Sequence, residues 1–130
     1  MYYFAYASNL SKNQMQERCP DSQPKFIATL PNYQLVFAGW SRNWRGGVAS
    51  IKPFRGEKVW GAIYEVTEAC LRQLDRHQAG YQRLNVTVFD EDNEPHQAVT
   101  YIKSGRLEES LPSKEYLAII QQGYQDWRIT

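Results

Sequence analysis

The chain has 130 residues, enough to bury a core of its own, and its balance of 42% hydrophobic to 22% charged residues is that of a globular domain. A formal net charge of +1 gives no field that would gather nucleic acid or an anionic membrane, and no apolar run reaches the ~20 residues of a membrane helix. The opening Met1-Tyr2-Tyr3-Phe4 lacks the basic region and long apolar stretch of a signal peptide, so one cytoplasmic domain over residues 1–130 is expected.

Taken in chain order, the predicted elements begin with a strand over residues 2–5. It stops at the small and polar Ala7, Ser8 and Asn9, and Ser11 with Gln14 three residues on has the spacing of a capping box. The pattern is strand, tight loop, helix. Such a loop turns unpaired backbone N–H groups toward a carboxylate or phosphate, and small side chains let a ligand come close to the backbone. The helix is expected to end near Cys19-Pro20, with Met15 and Cys19 four apart on its buried face.

Residues 26–30 and 34–37 read as two strands split by Pro31-Asn32. Residues 39–47 read as a loop carrying Trp40, Arg42, Asn43, Trp44 and Arg45. Residues 48–51 and 58–66 read as a hairpin turning through Pro53 to Glu57. Thr67 is a good N-cap for a helix through Leu71 and Leu74. Leu84, Val86 and Val88 alternate with polar residues, the period of a half-buried strand, and residues 98–102 are expected to return antiparallel after a polar turn. A last helix starts at Ser113, with Tyr116, Ile119, Ile120 and Gly123 on one side. Strands dominate and helices are interspersed, which predicts an α+β protein with a mostly antiparallel, curled sheet.

Cys19 and Cys70 read as buried thiols, with a disulfide between them as the alternative. His77 and His96 lie at metal-ligand spacing neither from a cysteine nor from each other, so no metal and no cofactor is expected. Nine Tyr and four Trp could form a base-stacking surface, but without a basic excess it would lack its electrostatic partner, and no nucleic-acid partner is expected.

Five blocks, in order and at close spacing, resemble the gamma-glutamylcyclotransferase family. Tyr3, Phe4, Ala5, Tyr6, Ala7, Ser8, Asn9 and Leu10 resemble its Tyr-Phe-Ala-Tyr-Gly-Ser-Asn-Leu signature. Trp44-Arg45-Gly46-Gly47-Val48-Ala49-Ser50-Ile51, Val59-Trp60-Gly61 with Tyr64-Glu65-Val66, Leu74-Asp75, and Pro112-Ser113 with Tyr116 resemble the others. The resemblance implies a small mixed β-barrel flanked by helices. It also implies a small-molecule gamma-glutamyl substrate whose α-amine attacks its own side-chain carbonyl, releasing 5-oxoproline and the attached amine. The loop of Tyr3 to Leu10 would bind the substrate, and the Tyr116 hydroxyl would face the pocket.

The family's catalytic glutamate falls on Gln78, in Leu74-Asp75-Arg76-His77-Gln78-Ala79. Glutamine keeps the shape of glutamate but has no basic lone pair near neutral pH. The expectation is a chain that binds gamma-glutamyl ligands and turns them over poorly, whether Gln78 is natural or engineered. The alternatives are a binding protein of the same fold without turnover, or proton transfer by Asp75, His77 or Glu65. Two smaller departures are Ala7 for the motif's glycine, strained if φ there is positive, and Ala79 with a short segment to Gly80-Tyr81. The leaving group and the oligomeric state stay open.

Overall fold

The computed structural model describes residues 1–105 and 107–129. Its strands are β1 (Tyr2–Ala5), β2 (Gln23–Ser41), β3 (Gly46–Glu65), β4 (Tyr81–Asp90) and β5 (Pro95–Lys103), and its helices α1 (Lys12–Arg18), α2 (Glu68–His77) and α3 (Lys114–Trp127). The strands close into a barrel in the order β1-β3-β2-β4-β5. Every neighbouring pair is antiparallel except β1 with β5, which run parallel and meet at Tyr3 and Val99. This is the mixed, mostly antiparallel α+β barrel that the family resemblance implied.

Two of the expected elements are corrected. The strands expected at 26–30 and 34–37 are one strand, β2, and the segments 48–51 and 58–66 are not a hairpin but parts of one strand, β3. Both halves of β3 pair with β2: Pro31 faces Lys58 and Tyr33 faces Pro53, so residues 54–57 bulge out opposite Asn32 alone. Asn32 (φ 65°) and Gly56 (φ 91°) take the left-handed backbone that this excursion needs, and the Gly56 N–H donates to Asn32 Oδ1 at 3.1 Å. The true hairpin turn is shorter than the expected 39–47 loop and covers residues 42–45.

β1 is buried on both faces because successive side chains point to opposite sides of a strand. Phe4 packs with Ile63, Val88 and Ile51 inside the barrel, while Tyr3 and Ala5 pack outward with Leu71, Leu74 and Met15 under the helices. Gly61 lies where β3 crosses β1, and a Cβ there would stand 2.3 Å from the Ala5 carbonyl oxygen.

The helix starts are as expected. Ser11, Thr67 and Ser113 each accept a hydrogen bond from the backbone N–H three residues on. The capping box at Ser11 is only half made, because the Gln14 side chain reaches Asn9 instead of the cap. Cys19 and Cys70 are buried as expected, but they are joined by a disulfide that ties the end of α1 to the first turn of α2. No helix among the described residues is long and apolar enough to cross a membrane.

Candidate functional site

Where β1 ends, the chain makes a single tight turn of helix over Ser8–Leu10 before α1 begins. The Leu10 N–H returns to Ala7 O and the Ser11 N–H to Ser8 O, both at 3.0 Å. Among the described residues this leaves the N–H groups of Ala7, Ser8 and Asn9 without a protein acceptor. Ala7 has φ −135°, so the alanine in place of glycine carries no left-handed strain.

The turn is clamped from behind. Gly123 lets α3 press against it, since a Cβ there would lie 2.4 Å from Leu10 Cβ. Trp127 Nε1 donates to the Leu10 carbonyl at 2.9 Å, and the Lys12 N–H donates to Asp126 Oδ2 at 2.9 Å. From the front, the Asn9 side chain is engaged on both ends. Its Nδ2 donates to the Tyr3 hydroxyl at 2.9 Å, and its Oδ1 accepts from Gln14 Nε2 at 3.1 Å and Arg18 Nη1 at 2.9 Å.

This turn forms one wall of a cavity of about 360 Å³. Tyr3, Tyr6, Ala7, Ser8 and Asn9 line it from the loop side, Tyr116 from α3, and Gln78 from the end of α2. Phe4, Ala5 and Leu10 do not line it; their side chains are buried in the packing on either side of β1. The structure therefore brings seven of the ten sequence-predicted site residues together around one space.

Two tyrosines of the lining accept a hydrogen bond at their hydroxyl oxygen. The Tyr116 oxygen accepts the Ala49 N–H at 2.9 Å, and the Tyr3 oxygen accepts Asn9 Nδ2. Each O–H hydrogen thus remains available to a ligand oxygen. The Tyr6 hydroxyl is committed elsewhere, donating to the Tyr101 carbonyl at 2.7 Å. Burial pushes the Tyr3 phenol up to about 12, and it raises Tyr6 and Tyr116 as well, so all three stay protonated donors at neutral pH.

The electrostatics are one-sided. Arg18, Arg42, Arg76 and Lys103 line the cavity, and among the described residues no Asp or Glu does. Asp75 points away, forked onto Arg83 at 2.8 and 3.1 Å and accepting the Tyr101 hydroxyl, contacts that hold its carboxyl below the usual range. Glu65 meets the N-terminal ammonium at 3.2 Å. Of the three candidates for a substitute base, only His77 lines the cavity. Its ring is held below its ordinary 6.5, chiefly by partial desolvation and then by the Arg18 charge. Among the described residues no group of three His, Cys, Asp or Glu side chains could hold a metal ion.

Sequence reasoning missed Arg18, Arg76, Lys103 and Tyr81, all of which line the cavity. The end of β2 and the hairpin turn also reach the cavity, through Trp40, Arg42 and Trp44, but Arg45 does not. Trp40 is 71% exposed and stands at the mouth.

The chain matches the family model described as "Gamma-glutamyl cyclotransferase, AIG2-like" over residues 3–128. The gamma-glutamylcyclotransferase of Homo sapiens is 28% identical over 132 aligned positions, which cover 95% of this chain and 70% of that protein. The Bos taurus protein of the same name is also 28% identical, with the same coverage. A solved structure named "Gamma-glutamyl cyclotransferase" superposes with a TM-score of 0.94 at 28% identity, over 99% of this chain and 80% of that one.

Proposed function

This chain belongs to the gamma-glutamyl cyclotransferase, AIG2-like family, and we propose that its cavity binds gamma-glutamyl amino acids, peptides or amines and releases 5-oxoproline from them slowly, for want of a carboxylate at position 78. The observation that carries this reading is the cavity itself: the Ala7–Asn9 turn, whose N–H groups lack protein acceptors among the described residues, Tyr116 and Gln78 line one space that no Asp or Glu enters among the described residues.

The chemistry asks two things of the protein. The substrate's α-ammonium must lose a proton so that its nitrogen can attack the side-chain carbonyl. The tetrahedral intermediate then collapses, the amide C–N bond breaks, and the protons shed by the attacking nitrogen end on the departing amine. Because the attack is intramolecular, holding the α-carboxylate so that the amine faces the carbonyl supplies much of the rate. The turn N–H groups suit that task, and the Tyr3 and Tyr116 hydroxyls suit the carbonyl oxygen as negative charge develops on it. Proton transfer is the second task. Gln78 can orient the ammonium through its amide oxygen but cannot take its proton.

The test is 5-oxoproline release from a panel of gamma-glutamyl dipeptides, gamma-glutamyl amines and glutathione. Gln78→Glu is expected to raise release by about 10²–10⁴-fold, the usual worth of a positioned acid–base group, with affinity changed by less than tenfold. Robust turnover by the unmodified chain, matched by the variant, would remove position 78 from proton transfer. The second reading, a gamma-glutamyl binding protein without turnover, is favoured by the absence of carboxylates from the described cavity lining, and ligand binding with no release from either chain would establish it.

A cytoplasmic address is part of the proposal. The Cys19–Cys70 disulfide argues instead for an oxidising compartment. Alkylation of free thiols in cells before lysis separates the two.

A further inference from the structure

Arg18 closes α1 with a charge that no ion pair among the described residues neutralises. The side chain is half-buried in the cavity wall, and the acceptor of its Nη1 is the neutral Asn9 Oδ1, which it shares with Gln14. Five ion pairs form among the described residues and none includes Arg18. Withdrawing a guanidinium from water without a counter-ion is costly, and the group stays charged because its proton cannot be shed at neutral pH. Burial, the largest influence on it, already pulls its pKa below the ordinary arginine value.

The surroundings say which anion would restore the balance. The Asn9 amide that fixes Arg18 belongs to the turn whose N–H groups of Ala7, Ser8 and Asn9 lack protein acceptors. Asn9 is itself fixed by the Tyr3 hydroxyl and Gln14, so the fork and the turn are locked in one wall. Planar donors and backbone N–H groups on the same wall match a carboxylate, which takes two or more donors at once. The other arginines of the lining, Arg42 and Arg76, are exposed at the mouth, where water and salt screen them.

We propose that Arg18 is the counter-ion for the α-carboxylate of the glutamyl unit, acting jointly with the turn N–H groups, and that Asn9 is the residue that positions it. The proposal rests on the gamma-glutamyl reading above. It makes charge at that end of the ligand the main determinant of affinity.

The experiment is a calorimetric titration with two probes, γ-glutamylalanine and its analogue carrying an α-carboxamide in place of the glutamyl α-carboxylate. The native chain is expected to prefer the carboxylate by about ten- to a hundredfold, the range for a hydrogen bond to a charged group. Arg18→Gln is expected to bring the two probes within about threefold of each other, by weakening the carboxylate probe alone. In the native chain, the Arg18 Nε–Hε NMR resonance is expected to shift with the carboxylate probe and not with the carboxamide, a reading independent of whether the variant folds. An unchanged preference in Arg18→Gln, an equal loss for both probes, or an equal resonance shift with both overturns the Arg18 assignment and leaves the cavity reading standing. A native chain that binds neither probe overturns both.

Discussion

At the loop end of the cavity, Asn9 ties Tyr3, Gln14 and Arg18 together while Trp127 and Gly123 fix the turn from behind. At the α2 end, the side chains of Arg76, His77 and Gln78 make no hydrogen bond to any other described residue, and two of the three are exposed. The first region is over-determined and holds its donors in place before any ligand comes. The second is a helix end whose side chains are fixed by no hydrogen bond among the described residues. On the proposed reading, the donors for the ligand are preorganised, whereas Gln78, at the position proposed for proton transfer, has no side-chain hydrogen bond to another described residue to fix it. The difference teaches that Gln78 can change with little cost to the fold, whereas the turn cannot.

The comparison breaks most visibly at Gly123. Gly123→Val drives a side chain into Leu10 and the Ser11 N–H, and overpacking of this kind is expected to cost about 3 kcal/mol in chemical denaturation and to abolish gamma-glutamyl binding. Stability within about 0.5 kcal/mol of the native chain would show that the turn is not clamped as described. At the other end, Gln78→Glu is expected to move stability by less than about 0.5 kcal/mol while changing 5-oxoproline release by orders of magnitude. A large stability loss there would mean that the α2 end is built as tightly as the loop end.

The smallest expected effect sharpens the link between the two ends. Partial desolvation first, and Arg18 second, hold His77 below its ordinary 6.5. A carboxylate bound at Arg18 removes the second influence, so the His77 titration followed by NMR moves upward on ligand binding. By linkage the ligand favours protonated His77, and affinity rises as pH falls through the His77 range. A downward shift, or none, would place the bound anion away from Arg18.

The legible parts of this molecule were those carried by local pattern. The strand–turn–helix of residues 2–18, the three N-caps and the Tyr116 face of α3 follow from spacing and residue type alone. The long strands were misread for a physical reason. Pro31-Asn32 and the stretch from Pro53 to Gly56 each carry a turn signal, but they lie across from one another in the β2–β3 ladder, so one bulge absorbs both and the strands continue. Barrel closure depends on β1 meeting β5 beside Val99, more than half the chain away, and no local pattern reports it. Arg18 was missed because its partner Asn9 lies across the cap of α1, outside helical spacing. The positive cavity was hidden by a net charge of +1, since it arises from carboxylates such as Asp75 and Glu65 facing elsewhere.

The most direct test of the account is a crystal structure of the native chain with γ-glutamylalanine, which the proposed slow turnover would allow to be trapped. The account predicts the glutamyl α-carboxylate against the N–H groups of Ala7, Ser8 and Asn9 with the Arg18 fork upon it, and the Gln78 amide oxygen within hydrogen-bond reach of the α-ammonium. A ligand whose α-carboxylate rests at the mouth with Arg42 or Arg76, or a Gln78 side chain turned away from the amine, would contradict it.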